Sequence, residues 1–183
     1  MKRLHVAVVQ GGPSNEAEVS RASARGIAAA LQEAGHAAVR LELDAYLPET
    51  LRGGGYEVVF PAVHGAVGED GALQGLLEVL ELPYVGSGVL ASALAMDKAM
   101  ARRIFAAEGL PVAAGAAFPR GDAHRIARDA RRRFGAALVV KPGGSGSALG
   151  VARLESTASD EEVAAALEAA WQVDDVAVVE HFA

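Results

Sequence analysis

Lysine is rare in this chain, and one lysine marks a glycine-rich stretch. Only Lys2, Lys98 and Lys141 occur among the 17 basic residues. Lys141 directly precedes residues 142–147 (P-G-G-S-G-S), which lie between two apolar segments. A lysine ammonium is a compact charge that suits phosphate oxygens, and a short glycine–serine flap offers them backbone amides and hydroxyls. The G-x-x-x-x-G-K-[ST] pattern of a P-loop does not occur, but the stretch indicates nucleotide binding.

Two other polar loops could contact a small substrate. Residues 11–16 end in Glu16 at the start of a predicted helix, where the helix dipole favours an ionised carboxylate. Such a carboxylate could hold a substrate ammonium. Residues 63–71 contain His64 among glycines that let a ligand approach the backbone. Ordinary structural roles, a tight turn and a strand-end histidine, are the alternatives for the two loops.

Strands alternating with helices would place these two loops at one edge of a sheet. Strands are predicted at residues 4–9, 39–43, 58–63 and 84–85, and helices at 16–34 and 71–82. This rhythm is typical of a parallel sheet, in which ligands bind at the carboxyl ends of the strands. Asn15 is expected to cap the first helix, with Glu18 as its capping-box partner.

The second part of the chain, from about Asp97, has a different pattern. Helices are predicted at residues 98–108, 122–134 and 159–170, and strands at 112–118, 137–141, 150–154 and 176–180. The strands 137–141 and 150–154 flank the glycine–serine stretch, so we expect them to form a hairpin. Lys141 would then stand at the base of a flap.

The composition limits the classes of partner. The formal net charge is −6, and 51% of the residues are apolar. An acidic chain lacks the basic face that a general nucleic-acid or anionic-membrane surface needs. Cysteine is absent from the sequence, which excludes disulfides and thiolate sites. The apolar run at residues 6–9 is too short for a signal-peptide core or a membrane span, so we expect a cytoplasmic protein.

Taken in order, the loops resemble those of the D-alanine–D-alanine ligases, members of the ATP-grasp superfamily. The similarity runs from Val6 to Phe182. It is carried by G-G at 11–12 with E-V-S at 18–20, H-G at 64–65 with G-E-D-G at 68–71, L-P-Y-V-G-S-G at 82–88, S-A-L-A-M-D-K at 92–98 and V-K-P at 140–142. The resemblance implies an α/β protein: a Rossmann-like parallel-sheet domain, residues 1–96, followed by a partial α+β ATP-grasp subdomain, residues 97–183.

The resemblance also implies a reaction used in peptidoglycan synthesis. ATP would phosphorylate the carboxylate of one D-alanine, and the amino group of a second D-alanine would displace phosphate from the acyl phosphate. Glu16 would hold the ammonium of the first D-alanine and hydrogen-bond Ser147. His64 would lie near the carboxyl group of that substrate.

ATP is the cofactor that the resemblance implies for the second part. Lys98 and Lys141 would contact its phosphates, and Ser147 with Ala148 would belong to the loop that covers them. Glu180, His181 and Ala183 would lie at the adenine. This chain has Ser147-Ala148 where the family usually has two serines, and His181 where it usually has a lysine.

Other parts of the family site are expected beyond residue 183. These are the carboxylate and amide ligands of Mg²⁺, an active-site tyrosine and an arginine, so no residue of this chain is assigned to a metal. Since the last residues follow an apolar strand directly, we interpret the chain as an incomplete fragment. The complete enzyme is expected to be a homodimer.

Three alternatives remain open at this point. The chain could be a catalytically inactive module that binds nucleotide or substrate. It could be a Rossmann-type oxidoreductase, although the G-x-G-x-x-G fingerprint is absent from residues 11–16. Within the ligases, D-lactate could replace D-alanine as the second substrate.

Overall fold

A computed structural model describes residues 2–182 of the chain. The chain divides into two compact units, Met1–Ala93 and Leu94–Ala183. The boundary expected from the sequence, after residue 96, lies a few residues further along. Each unit has its own sheet and its own core of small and branched apolar side chains.

The first unit contains a parallel sheet in the order β2-β1-β3. Its elements are β1 (His5–Gln10), α1 (Ala17–Glu33), β2 (Ala37–Glu42), α2 (Leu47–Gly53), β3 (Val58–Pro61), α3 (Ala72–Val79) and the start of α4 (Val89–Met96). Both faces of β1 are buried: Ala7 and Val9 pack with α2 and α3, while Val6 and Val8 pack with α1. A central strand buried on both faces accounts for its continuous apolar sequence.

The second unit contains an antiparallel sheet in the order β4-β7-β5-β6. Its elements are α5 (Lys98–Ala107), β4 (Gly115–Pro119), α6 (Ala123–Phe134), β5 (Leu138–Pro142), β6 (Ala152–Leu154), α7 (Asp160–Trp171) and β7 (Val176–His181). Leu138, Val140 and Val179 pack against α6 and α7 around the buried Trp171. The predicted hairpin is confirmed, since β5 pairs antiparallel with β6.

The mixed α/β fold class predicted from the sequence is confirmed, but two local predictions, the cap of α1 and the strand at Tyr84, are wrong. Asn15 does not cap α1: the N-cap is Glu16, and no side chain makes the capping hydrogen bond. Ser14 holds this turn instead, because its hydroxyl accepts from the Glu16 amide at 3.2 Å and donates to the His64 carbonyl at 2.7 Å. The expected strand at Tyr84 is a single bridge to Val59.

The helices α2 and α4 were not predicted. Helix α2 is only seven residues long and ends in glycine, so its local signal is weak. It is stabilised by burial of Leu47 and Leu51 in the core.

Candidate functional site

In the first unit, the carboxylate of Glu16 lies directly over the glycine that follows His64. A β-carbon at Gly65 would stand 2.9 Å from Glu16 Oε2 and 3.1 Å from Ser14 Cβ. Gly65 has a φ of +73°, a conformation that glycine adopts without the strain of a side chain. The residues 11–16 and 64–71 therefore meet at the carboxyl ends of β1 and β3, as the parallel-sheet pattern predicted.

The His64 imidazole has one ring nitrogen near a carboxylate and one without a protein partner. Its Nδ1 lies 3.7 Å from Glu69 Oε1. Among the described residues, its buried Nε2 makes no hydrogen bond. The other carboxylate oxygen, Glu69 Oε2, accepts a hydrogen bond from the Gly65 amide at 2.6 Å, which holds the carboxylate in place. This arrangement orients an imidazole that can exchange a hydrogen bond with a ligand.

A buried serine fixes the loop that follows β1. The Ser20 hydroxyl accepts from the Gly11 amide at 2.8 Å and donates to the Ala62 carbonyl at 2.7 Å. It thereby ties the glycine turn to the end of β3. A cavity of about 640 Å³ opens beside this turn, lined by Gly12, Pro13, Arg21, Glu42, Leu43, Asp44 and Val67. Glu16 and His64 are not among those lining residues.

In the second unit, Lys98 contacts the start of the glycine–serine flap, residues 143–150. Its Nζ donates to the carbonyl of Ser145 and lies 3.5 Å from that of Gly143, while its backbone amide donates to Gly143 at 3.0 Å. Burial lowers the pKa of Lys98, and the nearby ammonium of Lys141 lowers it further. Asp174 holds the flap from another element, because its Oδ2 accepts from the Gly144 amide at 2.7 Å.

Lys141 is joined to Glu180 on the neighbouring strand. Its Nζ forms an ion pair with Glu180 Oε2. The other carboxylate oxygen, Oε1, is paired with Arg102 of α5, whose second guanidinium nitrogen donates to the Ala113 carbonyl at 2.6 Å. These three charged side chains are largely buried, with 24%, 13% and 17% exposed for Lys141, Glu180 and Arg102. The structure thus adds Arg102 to the residues that the sequence singled out.

The tip of the flap contains two non-glycine residues in the left-handed region. Ser147 has a φ of +46° and Ala148 a φ of +55°. Side chains at such angles carry a conformational cost that clusters at ligand-binding sites. The tip of the flap at Ser147 and Ala148 is therefore conformationally strained.

His181 is the last residue of β7. His181 Nδ1 stands 2.9 Å from the carbonyl of Phe134, and the His181 amide donates to the Ala114 carbonyl at 2.7 Å. The Nδ1 nitrogen of this imidazole is therefore within hydrogen-bond distance of a carbonyl in the same unit. Ala183 lies outside the described residues.

Residues 2–182 contain neither a ready-made metal site nor a membrane-spanning helix. These residues contain no group of three or more His, Cys, Asp or Glu side chains placed to hold a metal ion. The carboxylates nearest the two lysines, Glu180 and Asp174, already bind cations and backbone amides. They do not fit a Mg²⁺ site, and no step is assigned to the metal. No helix in this part of the chain is both long enough and apolar enough to cross a membrane.

Two family models match the sequence. The "D-ala D-ala ligase N-terminus" model matches residues 48–87, and the "D-ala D-ala ligase C-terminus" model matches residues 104–183. The D-alanine–D-alanine ligase of Geobacter sulfurreducens is 43% identical over 182 residues, which are 100% of this chain and 56% of that protein. The ligase of Anaeromyxobacter dehalogenans (strain 2CP-1) is 48% identical over 146 residues, which are 80% of this chain and 47% of that protein.

Solved structures of ligases have the same fold. The D-alanine-D-alanine ligase from Coxiella burnetii superposes with a TM-score of 0.83 at 28% identity, over 98% of this chain and 64% of that one. The D-alanyl-alanine synthetase A of Vibrio cholerae gives 0.84 at 23% identity, over 100% of this chain and 60% of that one. The chain spans about half the length of its named relatives. The ligase matches remove the alternative of a Rossmann-type oxidoreductase. The two family models and the relatives at 43% and 48% identity show that the chain belongs to the D-alanine–D-alanine ligase family.

Proposed function

We propose that this chain supplies the first-substrate and ATP-phosphate binding groups of an enzyme that joins two D-alanine molecules. The observation that carries the proposal is the cluster of Lys98, Lys141 and the glycine–serine flap, in a chain of this family. Positive charge and backbone amides at one place suit the transfer of a phosphoryl group, whose transition state spreads negative charge over its oxygens.

In the proposed reaction, a carboxylate oxygen of the first D-alanine attacks the γ-phosphorus of ATP. The bond between the γ-phosphorus and the oxygen of the β-phosphate breaks. ADP leaves, and the acyl phosphate remains. The amino group of the second D-alanine then attacks the acyl carbon, inorganic phosphate departs and the amine loses a proton. Mg²⁺ would supply positive charge to the phosphates, and it is assigned to no residue of this chain.

Each unit has a separate role in the proposal. Glu16 accepts hydrogen bonds from the ammonium of the first D-alanine, and His64 Nε2 bonds its carboxyl group.

Lys98 and Lys141 bind phosphate oxygens, with the flap at Ser147 and Ala148 covering them. Glu180, His181 and Ala183 belong to the adenine side. The second substrate, D-alanine or D-lactate, stays open, and a homodimer in the cytoplasm remains a prediction.

The nucleotide role is tested by replacing Lys141. We expect Lys141→Ala to weaken ATP binding at least about tenfold, since one charge-assisted contact is worth roughly 1.5–3 kcal/mol. Calorimetric titration of the 183-residue chain measures this, and Lys2→Ala is the control because Lys2 pairs with Glu57 in the first unit. Equal ATP affinity of the Lys141→Ala and unsubstituted chains would contradict the role.

The catalytic role is tested by supplying the part that the relatives have and this chain lacks. Residues 1–183 alone should form no D-alanyl-D-alanine above background. The same residues fused to the following segment of the Geobacter sulfurreducens relative should form it, as chromatography with ATP, Mg²⁺ and D-alanine would detect. The alternative is a catalytically inactive binding module. This alternative predicts that the fusion binds ATP and forms no dipeptide.

A further inference from the structure

One face of α5 carries two cations that reach different parts of the phosphate-binding cluster. Lys98 and Arg102 are four residues apart, so their side chains project from the same side of the helix. Lys98 reaches the flap carbonyls, and Arg102 reaches Glu180. The position of one helix thereby sets both contacts.

Glu180 has a cation on each of its oxygens. Lys141 lies opposite Val178 in the β5–β7 pair, and Glu180 is two residues further along β7, so both side chains stand on the same face of the sheet. Glu180 Oε2 pairs with Lys141 and Oε1 with Arg102. Its single negative charge is therefore shared between two cations.

Loss of Arg102 would change the charge balance between Glu180 and Lys141. A largely buried carboxylate needs compensation, and breaking one side of a buried ion pair is costly. Without Arg102, Lys141 would be the remaining cation described on Glu180. Its ammonium would then be held more strongly and would be less free to bind a phosphate.

We infer that Arg102 is a positioning residue, which holds Glu180 so that the Lys141 ammonium stays available to phosphate. This inference rests on the proposed role of Lys141 in ATP binding. Arg102 suits the task because its planar guanidinium donates to Glu180 and, at 2.6 Å, to the Ala113 carbonyl. It acts through Glu180 and touches no phosphate itself.

The direct test uses the reactivity of lysines in the 183-residue chain, which contains three of them. Under native conditions, an amine-reactive reagent should label Lys141 at least about threefold more slowly in Arg102→Met than in the unsubstituted chain. Labelling of Lys2, read from the same mass spectrum, should not change. An unchanged rate at Lys141 would overturn the positioning role, whatever the chain binds.

Ligand binding gives the second readout. Arg102→Met should weaken ATP about tenfold more than it weakens adenosine, because a change at Glu180 on the adenine side affects both ligands and only ATP carries phosphates for Lys141. Arg102→Lys should recover ATP binding in part, because lysine restores a cation for Glu180 and lacks the second arm of the guanidinium. Arg103→Met, on the same helix, should bind like the unsubstituted chain. Equal losses of ATP and adenosine would mean that Arg102 only supports the fold, and would overturn the inference.

A double-mutant cycle completes the test. If Arg102 acts through Lys141, then Arg102→Met combined with Lys141→Met should bind ATP no more weakly than Lys141→Met alone. Additive losses would overturn the inference. A chain whose unsubstituted form fails to bind ATP would count against the proposed function, and Lys141 labelling would then still decide the role of Arg102.

Discussion

The two units hold their candidate site residues by different means. In the first unit, Glu16 and His64 lie on loops after parallel strands, and neighbouring hydroxyl and carboxylate groups shape those loops through backbone hydrogen bonds. In the second unit, Lys141 and Glu180 stand on the strands themselves, and ion pairs hold them. The first arrangement depends on backbone conformation, whereas the second depends on charge balance. Substitutions should therefore affect the two units in different ways.

The largest effect that separates the units is expected at Glu16. Glu16→Gln keeps the shape and removes the charge, so the first unit should bind D-alanine at least about tenfold more weakly. ATP affinity should change much less, because Lys98 and Lys141, the groups proposed for the phosphates, lie in the second unit. Calorimetric titration with each ligand measures both. Glu18→Gln, at an exposed carboxylate of the same helix, is the control and should change neither affinity.

A glycine pair separates backbone strain from the site itself. Gly65→Ala and Gly35→Ala both force alanine to a positive φ, of +73° and +89°, and each should lower the free energy of unfolding by about 1–2 kcal/mol. Only at Gly65 would the added carbon meet a carboxylate, that of Glu16, whereas nothing lies within 4 Å at Gly35. D-alanine affinity should therefore fall in Gly65→Ala alone. Equal affinities in the two variants would contradict the placement of Glu16.

The charge balance of the second unit predicts a pH dependence. The pKa of Lys98 lies below its ordinary value of 10.5, first because of burial and then because of Lys141. Phosphate favours the protonated ammonium, so ATP affinity should begin to fall as the pH rises through the lowered pKa, already below pH 10.5. The decline approaches tenfold for each pH unit.

Lys98→Arg is the matched variant for this pH dependence. Arginine keeps its charge throughout that range, so this early decline should disappear from a series of ATP titrations. The far-UV circular dichroism spectrum at each pH serves as the control for alkaline unfolding. An identical decline in Lys98→Arg would assign the effect to another group.

The smallest expected effect concerns helix capping. Helix α7 has a full capping box, in which the Ser159 hydroxyl accepts from the Glu162 amide at 3.2 Å and the Glu162 carboxylate accepts from the Ser159 amide at 2.7 Å. Ser159→Ala should cost about 1 kcal/mol. Asn15→Ala, before the uncapped α1, should stay within about 0.5 kcal/mol. Thermal or urea unfolding of both variants measures this, and a similar loss in Asn15→Ala would restore the cap predicted there.

Much of the fold could be predicted because local patterns agree with it. Apolar runs punctuated by glycine and proline indicate the strands of both sheets, and the Gly/Ser stretch between two apolar segments indicates the hairpin at Lys141. The motif blocks around Glu16, His64, Lys98 and Lys141 indicate the same family as the two family models. The assignment of each residue to a ligand stays a prediction.

The sequence by itself determined the element types, the flap and the family, because these depend on neighbours along the chain. Only the tertiary structure decided which distant groups meet. Arg102 and Glu180 are 78 positions apart, and α5 brings them together on the face of the sheet opposite α6 and α7. Ser14, not Asn15, holds the turn before α1, because its hydroxyl also reaches the His64 carbonyl 50 positions away. Such contacts follow from chain packing, and no local spacing encodes them.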